Sequence, residues 1–343
     1  MREFRKIVVI CCVIFGVISF CGCKRKTPSV SFYHWKQRYN PSQWEIEYMK
    51  EVGCSRLFVR FFDVDFPPEK LLPEPISLIK INGELKAQNV VPCVYITNRT
   101  FLRANGRQVK NLAHRVNDLI FEIARSINLD SLGEIQIDCD WSESTRDRFF
   151  YFLKELKGVI GSTMKLSATI RLHQVKYSQR TGVPPVDRGV LMLYNMGNTL
   201  DQSEENSILK GEVIRQYISS KTPDYPLKLD LALPTYSWIL VYRFHKLVRI
   251  IYPGDERLLL QSDNTKQTGD NKFRVTNNFF LGSTFLYRDD VLRFEAISPK
   301  QLSSSVNYLL NKTFLKPEEV IFYHLDSINL SRYEPKFLKD LCR

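Results

Sequence analysis

From residue 30 onward, short stretches in which apolar and polar residues alternate give way, again and again, to longer stretches whose apolar residues recur every three or four positions. The first pattern predicts strands and the second amphipathic helices. Strands are predicted at 30–35, 55–63, 90–97, 134–140, 165–173, 189–195, 227–234 and 320–327. Helices are predicted at 41–52, with Asn40 as its cap, and at 109–127, 145–159, 207–219 and 334–341. The Pro-rich stretch 66–75 reads as loop. This rhythm predicts an α/β protein, a (β/α)8 TIM barrel over residues 30–343. One interval is oversized. Residues 239–298, between the seventh strand and a helix beginning near Pro299, predict an insertion subdomain on the ligand-binding rim.

In a barrel, the apolar face of each strand packs under helices and the other face points to the axis. In the fourth strand Ile135, Ile137 and Cys139 share one face, leaving Gln136, Asp138 and Asp140 on the other. The fifth leaves Ser167, Thr169, Arg171 and His173 inside, and the seventh leaves Lys228, Asp230 and Ala232. The eighth, with Ile321, Tyr323 and Leu325 assigned outward, leaves Phe322, His324 and Asp326 inside, and the second leaves Arg56, Phe58 and Arg60. Branched aliphatics ordinarily fill such an axis, so buried charges there imply ion pairing, a ligand, or both. Arg60 and Arg171 against Asp138 and Asp230 would satisfy pairing alone. Carboxylates and histidines gathered at strand C-termini point instead to a site. Trp35, Trp141 and Trp238 follow strands one, four and seven, and Tyr194 is late in strand six. Each ring could pack under a loop; together with hydrogen-bonding Gln174 and Asn195 they suit the faces and hydroxyls of a sugar.

The N-terminus adds a location. Arg2, Arg5 and Lys6 precede an apolar run from Ile7 to Phe20, the layout of a signal peptide covering 1–22. Phe20-Cys21-Gly22-Cys23 resembles the lipobox of bacterial lipoproteins, which implies lipidation of Cys23 and a tether over 23–29. Lys24, not Asp, follows the cysteine, so an outer-membrane lipoprotein facing the periplasm is expected. Without residues 1–22, which carry three basic residues and Glu3, the formal charge falls from +12 to +10. That charge is spread along the chain with no aromatic-interleaved basic run, which argues against nucleic acid. A basic surface also suits an anionic membrane or polymer. Cys54, Cys93, Cys139 and Cys342 show no metal-ligand spacing and read as buried thiols. No cofactor or metal is expected, and a monomer is.

The fourth strand ends in Asp138-Cys139-Asp140-Trp141-Ser142, and Met192-Leu193-Tyr194-Asn195 lies in the sixth. These resemble two motifs of the chitinase-like glycoside hydrolase family 18, Asp-x-Asp-x-Glu and Met-x-Tyr-Asp. That family also often inserts a small α+β domain after strand seven. The resemblance implies that Asp140 orients a substrate acetamido group and that Tyr194 stabilises the intermediate. Ser142 and Asn195 stand where the family carries its general acid and an aspartate, and Glu143 is one position away. The chain also resembles uncharacterised bacterial lipoproteins with glycosidase-like barrels.

The expected protein is a lipid-anchored barrel that binds a glycan or polysaccharide. For cleavage, Asp138, Asp140, Glu143 or Asp326 would supply a raised-pKa acid, with Tyr194 assisting. Trp35, Arg60, Trp141, Arg171, His173, Gln174, Asn195, Asp230, Trp238 and His324 would contact the sugar. The alternative is a carbohydrate-binding lipoprotein that kept the barrel and lost the acid.

Overall fold

The computed structural model describes residues 27–82, 85, 89–129, 131–220, 222–312 and 314–342. The signal peptide and Cys23 lie outside the described residues. Eight parallel strands close into a barrel: β1 (Ser29–His34), β2 (Cys54–Asp65), β3 (Val90–Ile96), β4 (Glu134–Asp138), β5 (Lys165–Arg171), β6 (Arg188–Met192), β7 (Leu229–Pro234) and β8 (Glu319–Tyr323). Closure comes from β1, whose Phe32 lies opposite Phe322 of β8 on one side and Leu57 of β2 on the other.

Helices Gln43–Val52, Gly106–Ser126, Arg146–Ile160, Gly211–Tyr217, Pro299–Leu310 and Pro335–Leu341 pack outside this wall. The helix Gly106–Ser126 shows why: Val109, Leu112, Ala113, Val116, Ile120 and Ala124 form one buried stripe at three- and four-residue spacing. Each large aliphatic so buried contributes about 1.5–3 kcal/mol. The first helix begins later than expected. Ser42, not Asn40, is its cap, because Ser42 and Glu45 satisfy each other's backbone N–H groups in a capping box. Two further bounds move. The expected 207–219 helix contracts to Gly211–Tyr217, and the stretch read as loop ends in a short strand, Glu74–Ile76, paired with β2.

The barrel interior is layered. At its floor Arg56 and Arg188 bind Glu134, Asp230 and Glu319: Arg56 reaches Glu134 at 2.7 Å, Arg188 reaches Glu134 at 2.9 Å and Glu319 at 3.1 Å, and short contacts join Arg56 to Glu319 and Arg188 to Asp230. Above it Tyr33 donates to Gln136 at 2.7 Å, beside Phe58 and Cys93. Asp138, two residues further along β4, opens the top layer.

In β8 the expected facing is reversed. Glu319 enters the floor network and Tyr323 stacks inside on Tyr194, whereas Phe322 packs on Phe32 in the apolar shell that also holds Tyr48 of the first helix. Val320-Ile321-Phe322-Tyr323 is apolar on both faces, so elimination carried no information there. Lys228 is not inside either; it precedes β7 and pairs with Glu318 on the surface.

After β7 the chain builds an antiparallel sheet from Trp238–Arg243, Lys246–Ile251, Thr265–Gly269, Lys272–Val275 and Val291–Glu295, with a hairpin of Phe279–Leu281 and Thr284–Leu286. Its own apolar cluster includes Ile239, Val241, Phe273 and Leu292. Cys54, Cys93, Cys139 and Cys342 are free thiols. No helix among the described residues is long and apolar enough to cross a membrane.

Candidate functional site

The C-terminal mouth of the barrel holds a cavity of about 630 Å³. Its base is Asp138, which closes β4 and accepts a 2.5 Å hydrogen bond from Thr169 of β5. Burial, and next the charge of Asp140, raise the Asp138 carboxyl to about 6, against the pull of Thr169. Asp140 is held differently. Arg171, the last residue of β5, grips it as a fork, Nε to one oxygen at 2.6 Å and Nη2 to the other at 3.0 Å. Burial opposes the charge on Arg171, but Asp140 outweighs it and the guanidinium is held more firmly protonated than usual.

The walls are aromatic. Tyr323 stacks on Tyr194 with ring centres 5.0 Å apart, and Trp35 lies 5.9 Å from Tyr323. Tyr236 continues the wall to Trp238 at 5.3 Å. Arg60, fixed by Asp63 at 2.7 Å and by the Trp35 carbonyl at 3.2 Å, stands over the Trp35 ring. Asn195 has a left-handed backbone, φ 56°, which Asn tolerates better than most residues, and accepts from Tyr236 at 2.6 Å.

The second sheet completes one side. Trp238 begins its first strand, and its indole N–H donates to Glu295 at 2.9 Å. Glu295 is itself buried and bound by Arg293 at 2.7 Å and by Ser207. Tyr252, just past the strand Lys246–Ile251 of that sheet, reaches His324, 2.5 Å from Nε2. Nδ1 of His324 lies 3.0 Å from the Leu325 carbonyl and donates to it, which leaves Nε2 to accept from Tyr252. Burial lowers His324 to about 4, consistent with this neutral ring. Gly254 permits this approach: a Cβ there would sit 2.6 Å from the Trp238 backbone.

Of the residues singled out in the sequence, Trp35, Arg60, Asp138, Asp140, Arg171, Tyr194, Asn195, Trp238 and His324 line this cavity. The others lie elsewhere. Trp141 is buried, donates to the Thr181 carbonyl at 2.9 Å and stacks on Phe149 of the following helix, so it has no face to offer a sugar. Gln174 is fully buried and joins the Trp141 carbonyl to the Arg171 N–H, supporting the site from behind. His173 is turned out because β5 ends at Arg171 and a helical turn, Leu172–Lys176, follows. Asp230 belongs to the floor network at the opposite end. Asp326 caps the turn Ser327–Leu330 and pairs with Lys36 at 2.6 Å. Glu143 points into solvent with Arg180, 2.7 Å away, and Ser142 bonds Ser144 and Thr145 on the rim.

Sequence reading missed Lys36, Gln37, Tyr95, Met192, Tyr236, Tyr252 and Tyr323. Tyr95 was available from the alternation of Cys93 and Tyr95 against Val94 and Ile96, and Tyr236 from its place beside Trp238. Tyr252 carried no local signal, since it arrives from just past a distant strand. Among the described residues no group of three or more His, Cys, Asp or Glu is placed to hold a metal ion.

No sequence-family model and no curated protein sequence matches the chain. Solved structures do. The (β/α)8 barrel fold is shared with solved chitinase structures. The Bacillus cereus spore cortex-lytic enzyme SleL superposes with a TM-score of 0.53 at 14% identity, over 94% of this chain and 74% of that one. A chitinase from Chromobacterium violaceum gives 0.52 at 10% identity, over 91% and 97%. The chitinase RmChi1 from Rhizomucor miehei gives 0.50 at 13% identity, over 92% and 100%.

Proposed function

We propose that this protein is a lipid-anchored envelope protein, exported and facing the periplasm, whose barrel binds a glycan of the kind cleaved by chitinases or cortex-lytic enzymes. We infer further that it binds without hydrolysis. The observation that carries this is the state of the acids around an aromatic-walled cavity. Ser142 stands at the expected proton-donor position, Glu143 is paired outside with Arg180, and Asp140 is clamped by Arg171. Trp35, Trp238 and the tyrosine wall supply sugar-stacking faces. Asp138 supports one second reading. A carboxyl raised to about 6 is a usable proton donor near neutral pH, so hydrolysis would rest on it.

Calorimetric titration with chitin oligosaccharides and cortex fragments, run beside a reducing-end assay, separates the two. Binding without product release is expected. Trp238→Ala should weaken binding about tenfold, the loss of one good aromatic contact. Affinity unchanged in Trp238→Ala would overturn the assignment of this cavity. Product release that disappears in Asp138→Asn would establish an enzyme instead.

A further inference from the structure

The described chain begins at the barrel floor. Thr27 and Ser29 line a polar recess there of about 430 Å³ with Arg56, Lys165, Arg188 and Glu319. β1 then runs up the wall and delivers Trp35, Lys36 and Gln37 to the mouth cavity. Floor and mouth are far apart. The wall between them is taller than the tether is long: the helix Gly106–Ser126 packed on it has 21 residues, ~30 Å at ~1.5 Å per residue. Cys23 precedes Ser29 by six residues, and such a segment reaches at most about 20 Å when fully extended.

From these lengths we propose that the floor of the barrel docks against an anionic bilayer and that the glycan cavity opens away from it. This rests on the lipoprotein reading, lipidation of Cys23. A segment shorter than the barrel is tall cannot turn the mouth to the membrane that holds its end. Charge agrees with length. Lys24, Arg25 and Lys26 directly follow Cys23, and the exposed Lys165 and Lys316 lie at or just before the floor ends of β5 and β8. Cations so close to a surface are drawn to anionic headgroups. Glu318, the exposed acid beside them, is paired with Lys228. The second sheet and its hairpin, carrying the exposed Phe244 in a turn and Phe280 in the hairpin, follow β7 at the mouth end and are thereby left to face the aqueous side.

The test uses the full lipidated chain in vesicles of phosphatidylethanolamine and phosphatidylglycerol, with nitroxide-labelled headgroups as quencher. A fluorophore is placed at the floor in Lys228→Cys, with Lys165→Cys as a second floor position, and at the mouth in Gln37→Cys. The native thiols are buried or, at Cys54, held protonated by burial up to about 12, so they leave the label to the new cysteine. Quenching several-fold stronger at the floor labels than at Gln37→Cys is expected. Equal quenching would indicate a barrel lying on its side, and stronger quenching at the mouth an inverted one; either overturns the orientation. A native chain whose mass lacks the lipid overturns the anchor reading itself, and the orientation with it.

Discussion

Asp138 and Asp140 sit two residues apart on one side of a strand end, yet their surroundings differ. Asp140 has an arginine fork, whereas Asp138 has one hydroxyl donor and the charge of Asp140 nearby. For an acid raised on folding, the native state binds its proton more tightly than the unfolded chain. Stability from this group is therefore complete below the unfolded value of about 4 and is lost as pH climbs through about 6. Asp138→Asn keeps an oxygen for Thr169 and removes the penalty, so it should gain on the order of 1–3 kcal/mol at pH 8 and almost nothing at pH 4. Urea unfolding at the two pH values checks this; an equal change at both would mean that Asp138 is not perturbed. Trp141 and Trp238 divide in another way. Trp141→Ala should cost about 3–5 kcal/mol of stability through the hole it leaves under the helix Arg146–Ile160. Trp238→Ala should spare most of the stability and lose the ligand, and thermal melts beside titrations separate the two. Both residues follow a strand in the sequence. Whether such a ring turns to the cavity or under the wall depends on the next helix, here on Phe149, which no local pattern reveals.

At the level of elements, reading facing from the sequence worked where polar and apolar residues alternate cleanly. β4, with Gln136 and Asp138 against Ile135 and Ile137, and β5, with Ser167 and Thr169 against Leu166 and Ala168, have the expected interior. β8 did not yield to the method because its apolar run is continuous, and its one informative residue, Glu319, lies at the strand's first position. Alternation gives a residue's face, but its end comes from its position along the strand, and reading Asp230 by face alone groups it with the mouth. It lies near the start of β7, next to Arg188. That floor network tests the packing. Arg188 joins acids from β4, β7 and β8, and Arg188→Leu would leave Glu134 and Glu319 to Arg56 and take from Asp230 its arginine partner. Breaking such a buried group by removing one partner costs about 3–5 kcal/mol. Denaturant unfolding of Arg188→Leu should show a loss of that size with the cavity's ligand affinity, measured below the transition, little altered. A loss under about 1 kcal/mol would place the network among pairs that only offset their own desolvation.

For the whole molecule the question is whether its charge or its cavity selects the ligand. The sequence carries +12, and a basic chain attracts anionic polymers without any pocket. Inside the cavity, however, each cation is already answered: Arg171 by Asp140, Arg60 by Asp63, and Lys36 by Asp326. What remains uncommitted there is aromatic surface, with Asp138 beneath it. Stacking on rings and hydrogen bonding to hydroxyls release few counterions, while contacts between surface lysines and an anionic chain are screened beyond about 10 Å at 0.1 M salt and weaken steeply as salt rises. Glycan affinity should thus change less than about threefold between 0.05 and 0.5 M salt, in line with the short range of such contacts. A fall of more than an order of magnitude over that range would transfer recognition from the cavity to the basic surface, and the aromatic wall would then be part of the barrel's packing alone.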